Sequence, residues 1–360
     1  MNGDNKRLQY PIQDSRKANE FSQITFSGYK KSEVKKNLIK NILAGKIESG
    51  CFWSAEYICA GHFAELWDIF ITIMSKNIHA GNPKLPIYIF MRYNDFRKKA
   101  NATKLGDVIT LRNDKVMRKL FCEVICVLCF SNQKHALTRV KIDIPELNIV
   151  DFPERLQAKR KNLAKEFYKG NDSSEIYIAV NEFVHHLTSN NKNTLMACYW
   201  VEWTMKYEKI LKQKARENKK NGDKKQKKNE ERLKSILECN HRKFPRVDEK
   251  HKKDWIWIYW QIMLHHANRS NSKVITNIVH HLFQIFCIRY SPGCKTKRIW
   301  VIYNAITLLT DYVNLDVDVI KQGNVVEKIK RKINLIYGQI KKNEIRGKKD
   351  NFLMGFPIDL

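Results

Sequence analysis

ESGCFWSAEYICAGHFAELWDIFITIMSKNIHAGNPKLPIYIFMR, residues 48–92, decides the fold class. Apolar residues recur at three- and four-residue spacing, the period of a helix face. Ala60-Gly61 breaks the pattern as a tight turn. His79-Ala-Gly-Asn-Pro83 breaks it again as a loop, and Pro86 suits the first turn of a new helix. The stretch reads as helices at about 48–60, 63–77 and 85–100.

Outward from it, the same period continues in both directions. Towards the N-terminus, Val34, Leu38, Ile39, Ile42 and Leu43 form an apolar stripe, with Ser32 as expected N-cap and Gly45 past the last turn. Towards the C-terminus, helices are expected at about 115–131 (capped by Asn113 or Asp114), 152–169, 174–189 and 192–218. More follow at 254 onward, 272–288, 296–312 and 323–343. Strict alternation occurs only in Leu137–Ile144, which allows at most a small β-hairpin near 105–145, with Gly106–Leu111 as its partner. With only 14 Gly and 8 Pro in 360 residues, a turn-rich β fold is disfavoured. The expected class is all-α. The expected organisation is an extended or partly disordered arm (1–29), a helical lobe (30–210), a Lys-rich linker (211–250), a second helical lobe (251–345) and a tail (346–360).

Phe52-Trp53-Ser54-Ala55, followed by Ser75, Ile78, Asn82 and Pro83, resembles the collar domain of clamp-loader ATPases and related replication-associated ATPases. That collar has an aromatic-Trp-x-Ala helix, an apolar helix and a Ser-x-x-Ile-x-x-x-Asp/Asn-Pro loop. Here the two elements stand about one residue closer than usual, and Lys76-Asn77 replaces the acidic pair. The resemblance implies multi-helix, collar-like lobes, with Trp53 in a pocket between helices. It also implies a surface for a homo-oligomer or a replication partner. The Lys/Asn/Ile-rich wording around GNPKLPIY looks like uncharacterised proteins of large algal and amoebal DNA viruses. That implies viral DNA replication or, alternatively, a virion component (minor capsid or core protein) contacting genome or acidic capsid surfaces.

The charge balance points the same way. Sixty-six Lys and Arg face 37 Asp and Glu, a net +29. Such self-repulsion suits a polyanionic partner, here nucleic acid, DNA bound without regard to sequence. An AT-rich genome, which inflates Lys, Asn and Ile together, is the competing source of this composition. Phosphate contact needs clustered cations on flexible stems. Three tracts supply them: Lys30, Lys31, Lys35, Lys36 and Lys40; Arg97, Lys98 and Lys99; and Lys219, Lys220, Lys224, Lys225, Lys227 and Lys228.

Catalytic signatures are missing. There is no G-x-x-x-x-G-K-S/T, no G-x-G-x-x-G and no G-x-S-x-G. Carboxylates such as Glu65 and Asp68 stand at i, i+3, but without paired acidic clusters elsewhere they make no two-metal site. Cys122, Cys126 and Cys129 have the spacing of an iron–sulfur triad. In an apolar helix, however, that spacing lines one core-facing stripe about 10 Å long, too extended to converge on one cluster. Three His-His pairs and Cys239-Asn-His241, with Cys287 or Cys294 at a distance, do not make a zinc spacing. Trp255, Trp257, Tyr259 and Trp260 point all round a helix, so most belong to a core. The expectation is no enzyme, no cofactor and no metal.

Nine cysteines, an odd number mostly inside apolar helices, read as reduced thiols of an intracellular compartment. Host cytoplasm, viral factory, nucleus and virion all fit that reading. No stretch reaches about 18 uncharged apolar residues, so no membrane span is expected.

Overall fold

The computed structural model describes residues 8–103, 107–148, 154–170, 172–188, 190–220, 238–242, 244 and 246–344. The fold is all-α, and the described residues contain no strand. They form two compact units, Met1–Gln133 with Val317–Leu360, and Lys134–Asp316.

The first unit holds α1 (Lys31–Leu43), α2 (Ile47–Cys59), α3 (Phe63–Thr72), α4 (Leu85–Ala102), α5 (Val108–Arg112) and α6 (Lys115–Phe130). The second holds α7 (Tyr177–Leu187), α8 (Thr194–Lys220), α9 (Ile256–Asn268), α10 (Lys273–Phe286), the one-turn α11 (Cys294–Lys297) and α12 (Ile299–Thr310). The chain then returns to the first unit as α13 (Gly323–Lys341).

The unit boundaries fall elsewhere than composition suggests. The expected lobes 30–210 and 251–345 met at the Lys-rich run, yet α7 and α8 pack with α9 and α12 in one unit. Thr204 on α8 shares a hydrogen bond of 2.7 Å with Tyr259 on α9, both fully buried. α13 instead lays Val326, Ile333, Tyr337 and Ile340 against α2 and α6. A charged run interrupts the sequence, but the apolar faces on its two flanks still find each other. Within the expected linker 211–250, residues 211–220 continue α8. Residues 221–237, like the tail from 346, lie outside the described residues. Further on, Arg242 is buried on Asp172 at 2.7 Å.

Three other expectations are corrected. Residues 108–112 are helical, not a hairpin strand, because Asp107 caps them by accepting from the Ile109 N–H at 3.0 Å. The alternating stretch 137–144 forms no strand and pairs with none among the described residues. Of the helix expected at 152–169, the described residues 154–169 form no α-helix. Residues 154–167 are turns and a 3₁₀ piece held by α7: Glu182 accepts from the Gln157 and Ala158 N–H groups, both at 3.0 Å, and Asn181 from the Ala164 N–H. α1 begins at Lys31 with Lys30 at its cap, not Ser32. Asp114 caps α6 as expected, at 2.8 and 3.0 Å from the N–H groups of Val116 and Met117.

The arm is the largest departure. Its described part, from residue 8, is irregular apart from a 3₁₀ turn at Ala18–Phe21, but it is packed, with Ile12, Phe21 and Phe26 buried. Two fully buried arginines hold it. Arg112 donates to the carbonyls of Asp14 and Arg16, each at 2.9 Å. Arg118 donates to the carbonyls of Gln9 and Tyr10 at 3.2 Å and to that of Arg112 at 3.0 Å, and sits 3.8 Å from the Tyr337 ring. Glu56 on α2 accepts from the Thr25 hydroxyl (2.8 Å), the Ser27 N–H (2.9 Å) and the Ser27 hydroxyl (2.5 Å).

A candidate nucleic-acid interface

The second unit carries a groove of about 930 Å³. One wall is the outer face of α8. The opposite wall is the segment 139–143, and the loop Pro292–Thr296 closes one end.

Each wall is fixed by buried partners. Arg139 forks onto Glu202 of α8 at 2.7 and 3.0 Å. The Tyr303 hydroxyl donates to Glu202 at 3.2 Å and accepts from the Val140 N–H at 3.2 Å. Beyond the groove, Trp203 donates its indole N–H to the Glu146 carbonyl at 3.0 Å. A segment outside any strand is therefore held in place by side chains instead of a neighbouring strand. At the closed end, the buried Lys295 ammonium reaches Glu208 at 2.8 Å and Asp254 at 2.9 Å, over the Trp255 ring. Burial pushes the Glu208 carboxyl up, but Lys295 and Lys212 outweigh it and hold its pKa below the usual range. Glu208 is thus a carboxylate already committed to two ammonium groups.

What remains is positive. Lys141 faces the groove from the segment, and Lys206, Lys209 and Arg216 from α8, and among the described residues no carboxylate pairs with them. Asp143 is the lining carboxylate left without a cationic partner among those residues. The α8 positions 206, 209, 212 and 216 share one stripe at about 100° per residue, spread over about 15 Å. Positions 219 and 220 continue that spacing to the end of α8. The sequence singles out Lys219 and Lys220, which are not among the groove's lining residues, and passes over the cations before them, because Lys206 to Arg216 look like the ordinary wet face of a helix. The signal that could have found them is the regular three- and four-residue spacing of Lys and Arg.

The other expected residues disperse. Lys224, Lys225, Lys227 and Lys228 lie outside the described residues. In the first unit, Lys30, Lys35, Lys36 and Lys40 are exposed along α1, while Lys31 is tied to Glu65 at 2.6 Å. Arg97 and Lys98 are exposed at the end of α4, and Lys99 pairs with Asp114 at 2.8 Å. Neither tract lines the groove.

The collar-like residues build a corner. Residues 73–78 form a π turn that ends at His79, with φ of 46°. Ser75 and Ile78 are buried there, Ser75 donating to the Ile71 carbonyl at 2.7 Å. Asn82 donates to Ser131 at 3.1 Å, beside the buried Pro83. Gly81 is required, since a Cβ would stand 2.3 Å from the Asn132 carbonyl oxygen. Trp53 departs from expectation: it is half-buried, edge-on to Tyr29 of the arm at 5.4 Å. The pocket between helices is filled by Trp67, packed on Phe70, Tyr93 and Phe121.

The cysteine stripe of α6 faces the core, with Cys122 and Cys126 buried and Cys129 partly so. Burial pushes the thiols of Cys129, Cys239 and Cys287 up to about 12, so none is a ready nucleophile. Cys239 donates to the Asp254 carbonyl and His241 pairs with Glu249. Among the described residues no cluster of three His, Cys, Asp or Glu could hold a metal ion. Trp255, Trp257, Tyr259 and Trp260 are all core residues, at most 1% exposed. No helix among the described residues is long and apolar enough to cross a membrane.

Compared with protein-family models, curated proteins and solved structures, the chain gives no match. The functional reading therefore rests on the groove and on the charge that surrounds it.

Proposed function

We propose that this is a non-enzymatic nucleic-acid-binding accessory or scaffold protein that holds DNA by its phosphates in the α8 groove. The carrying observation is the set of four cations, Lys141, Lys206, Lys209 and Arg216, left unpaired in a groove where the other lining cations are neutralised by Glu202 and Glu208. Clustered unpaired cations attract a polyanion and release its counterions. The likeness of residues 48–92 to the clamp-loader collar supports a role in DNA replication, viral replication among them. A second reading, a virion core component, draws on the exposed Lys30, Lys35, Lys36 and Lys40 of the first unit. Basic faces on both units suit a protein that packs a genome.

The test is a salt titration of binding to a short DNA duplex by fluorescence anisotropy. Four phosphate contacts give a slope of log affinity against log salt of about −3.6. A variant with Lys141, Lys206, Lys209 and Arg216 all changed to Gln should show a slope at least three units shallower. A flat wild-type slope, or a variant that binds like the wild type, refutes the site.

A further inference from the structure

The groove's lining says more than its charge does. Among the described residues, none that lines it is aromatic. Its apolar members are Val140, Ile142, Met205 and Pro292, aliphatic side chains with no π-face to offer a base. Five tryptophans of this unit, Trp200, Trp203, Trp255, Trp257 and Trp260, are buried and line no part of it. Single-strand binders that hold their ligand by its bases need such rings at the surface.

Base-edge readout is equally poorly served. Bidentate reading of guanine needs a free planar guanidinium. Of the two groove arginines, Arg139 already has both arms on Glu202. Three of the four unpaired cations are lysines, point charges without directional preference. Their spacing fits a phosphate row instead. Residues 206–216 span about 15 Å, the rise of about four phosphates along one strand at about 3.4 Å each.

Resting on the function proposed above, we infer that the groove recognises the phosphodiester backbone of one strand along α8 and takes no part of its binding from the bases. The ligand class is therefore a row of phosphodiesters, with the bases turned outward and indifferent to sequence or even presence.

Three 16-nucleotide strands separate the possibilities: an ordinary mixed sequence, the same strand with every base removed, and the same sequence with neutral methylphosphonate linkages. Each is titrated against the full chain and against the four-Gln groove variant at fixed low salt. The abasic strand should bind within about threefold of the ordinary strand, whereas losing aromatic stacking would cost roughly tenfold or more per base. The methylphosphonate strand should lose binding altogether. If the four-Gln variant loses the ordinary strand while the abasic strand binds the wild type more than tenfold weaker, the groove binds nucleic acid but the backbone-only inference is wrong. Retained binding of the neutral strand would also overturn it. If the four-Gln variant binds the ordinary strand as tightly as the wild type does, the groove is not the site, and the proposed function falls with the inference.

Discussion

The two units use the same surplus of positive charge in opposite ways. In the first, the decisive cations point inward. Arg112 and Arg118 are at most 1% exposed and act as hydrogen-bond hubs for an arm whose regular structure is a single 3₁₀ turn among its described residues. Lys31, Lys99 and Lys330 are tied to Glu65, Asp114 and Glu123. In the second, the inward cations Arg242 and Lys295 are matched to carboxylates and Arg298 donates to the carbonyls of Phe286 and Ile288, while Lys141, Lys206, Lys209 and Arg216 stand unmatched at a groove. The lesson is that net charge does not locate a binding site. A guanidinium surrounded by carbonyls stabilises a fold, whereas an ammonium left without a carboxylate is available to a ligand.

That contrast breaks most visibly at Arg118. Arg118→Ala strands the carbonyls of Gln9, Tyr10 and Arg112 and opens a gap against Tyr337, so stability should fall by about 3–5 kcal/mol. Urea denaturation followed by circular dichroism measures it. The matching change in the second unit, Lys206→Ala, should stay within about 0.5 kcal/mol of the wild type. Equal losses for the two would erase the distinction between inward and outward cations.

A smaller effect concerns the other end of the arm's attachment. Burial pushes the Glu56 carboxyl above the usual range, against the hydrogen bonds from Ser27 and Thr25 that lower it. Its folded pKa therefore exceeds its unfolded value of about 4.3. The stability it contributes is complete below that unfolded value and is lost as pH rises through the folded one. Glu56→Gln removes the titration, so the variant should gain on the wild type as pH rises from 4 to 8 in a denaturation series. A gap moving the other way would mean that the three donors dominate and the carboxylate is the favoured form.

The smallest effect is expected at the basic tract of α1. Changing Lys35, Lys36 and Lys40 to Gln should leave stability within about 0.5 kcal/mol of the wild type, since all three are exposed. On the groove reading, affinity for a short duplex should drop by less than about threefold, far less than for the four-Gln groove variant. A larger drop would shift weight to genome packing by basic faces on both units.

Helix content and most helix positions were legible in the sequence, because a 3.6-residue apolar period is a local property of the chain. Val34, Leu38 and Ile42 announce α1 by their spacing alone, and Asp114 announces the start of α6. The failures share a cause. Residues 154–167 have helical composition, yet Glu182 and Asn181, some 20 residues later, capture their backbone N–H groups in turns. Leu137–Ile144 alternates like a strand, yet finds α8 and Tyr303 where a neighbouring strand would be needed. Trp53 carried the collar resemblance, but the space between the helices went to Trp67.

The candidate site was not legible. Lys141, Lys206, Lys209 and Arg216 were hidden among ordinary surface residues, and Lys219 and Lys220, which stood out as part of a charge run, are not among the groove's lining residues. By itself, the sequence determined the all-α class, the apolar faces and the excess of positive charge, since each follows from residue type and near-neighbour spacing. Only the tertiary structure decided which cations are matched. A lysine's partner is set by side chains brought from distant parts of the chain: Glu208 and Asp254 converge on Lys295 across 87 and 41 residues, and Glu202 takes Arg139 across 63. What those carboxylates leave unmatched is the surface a polyanion meets.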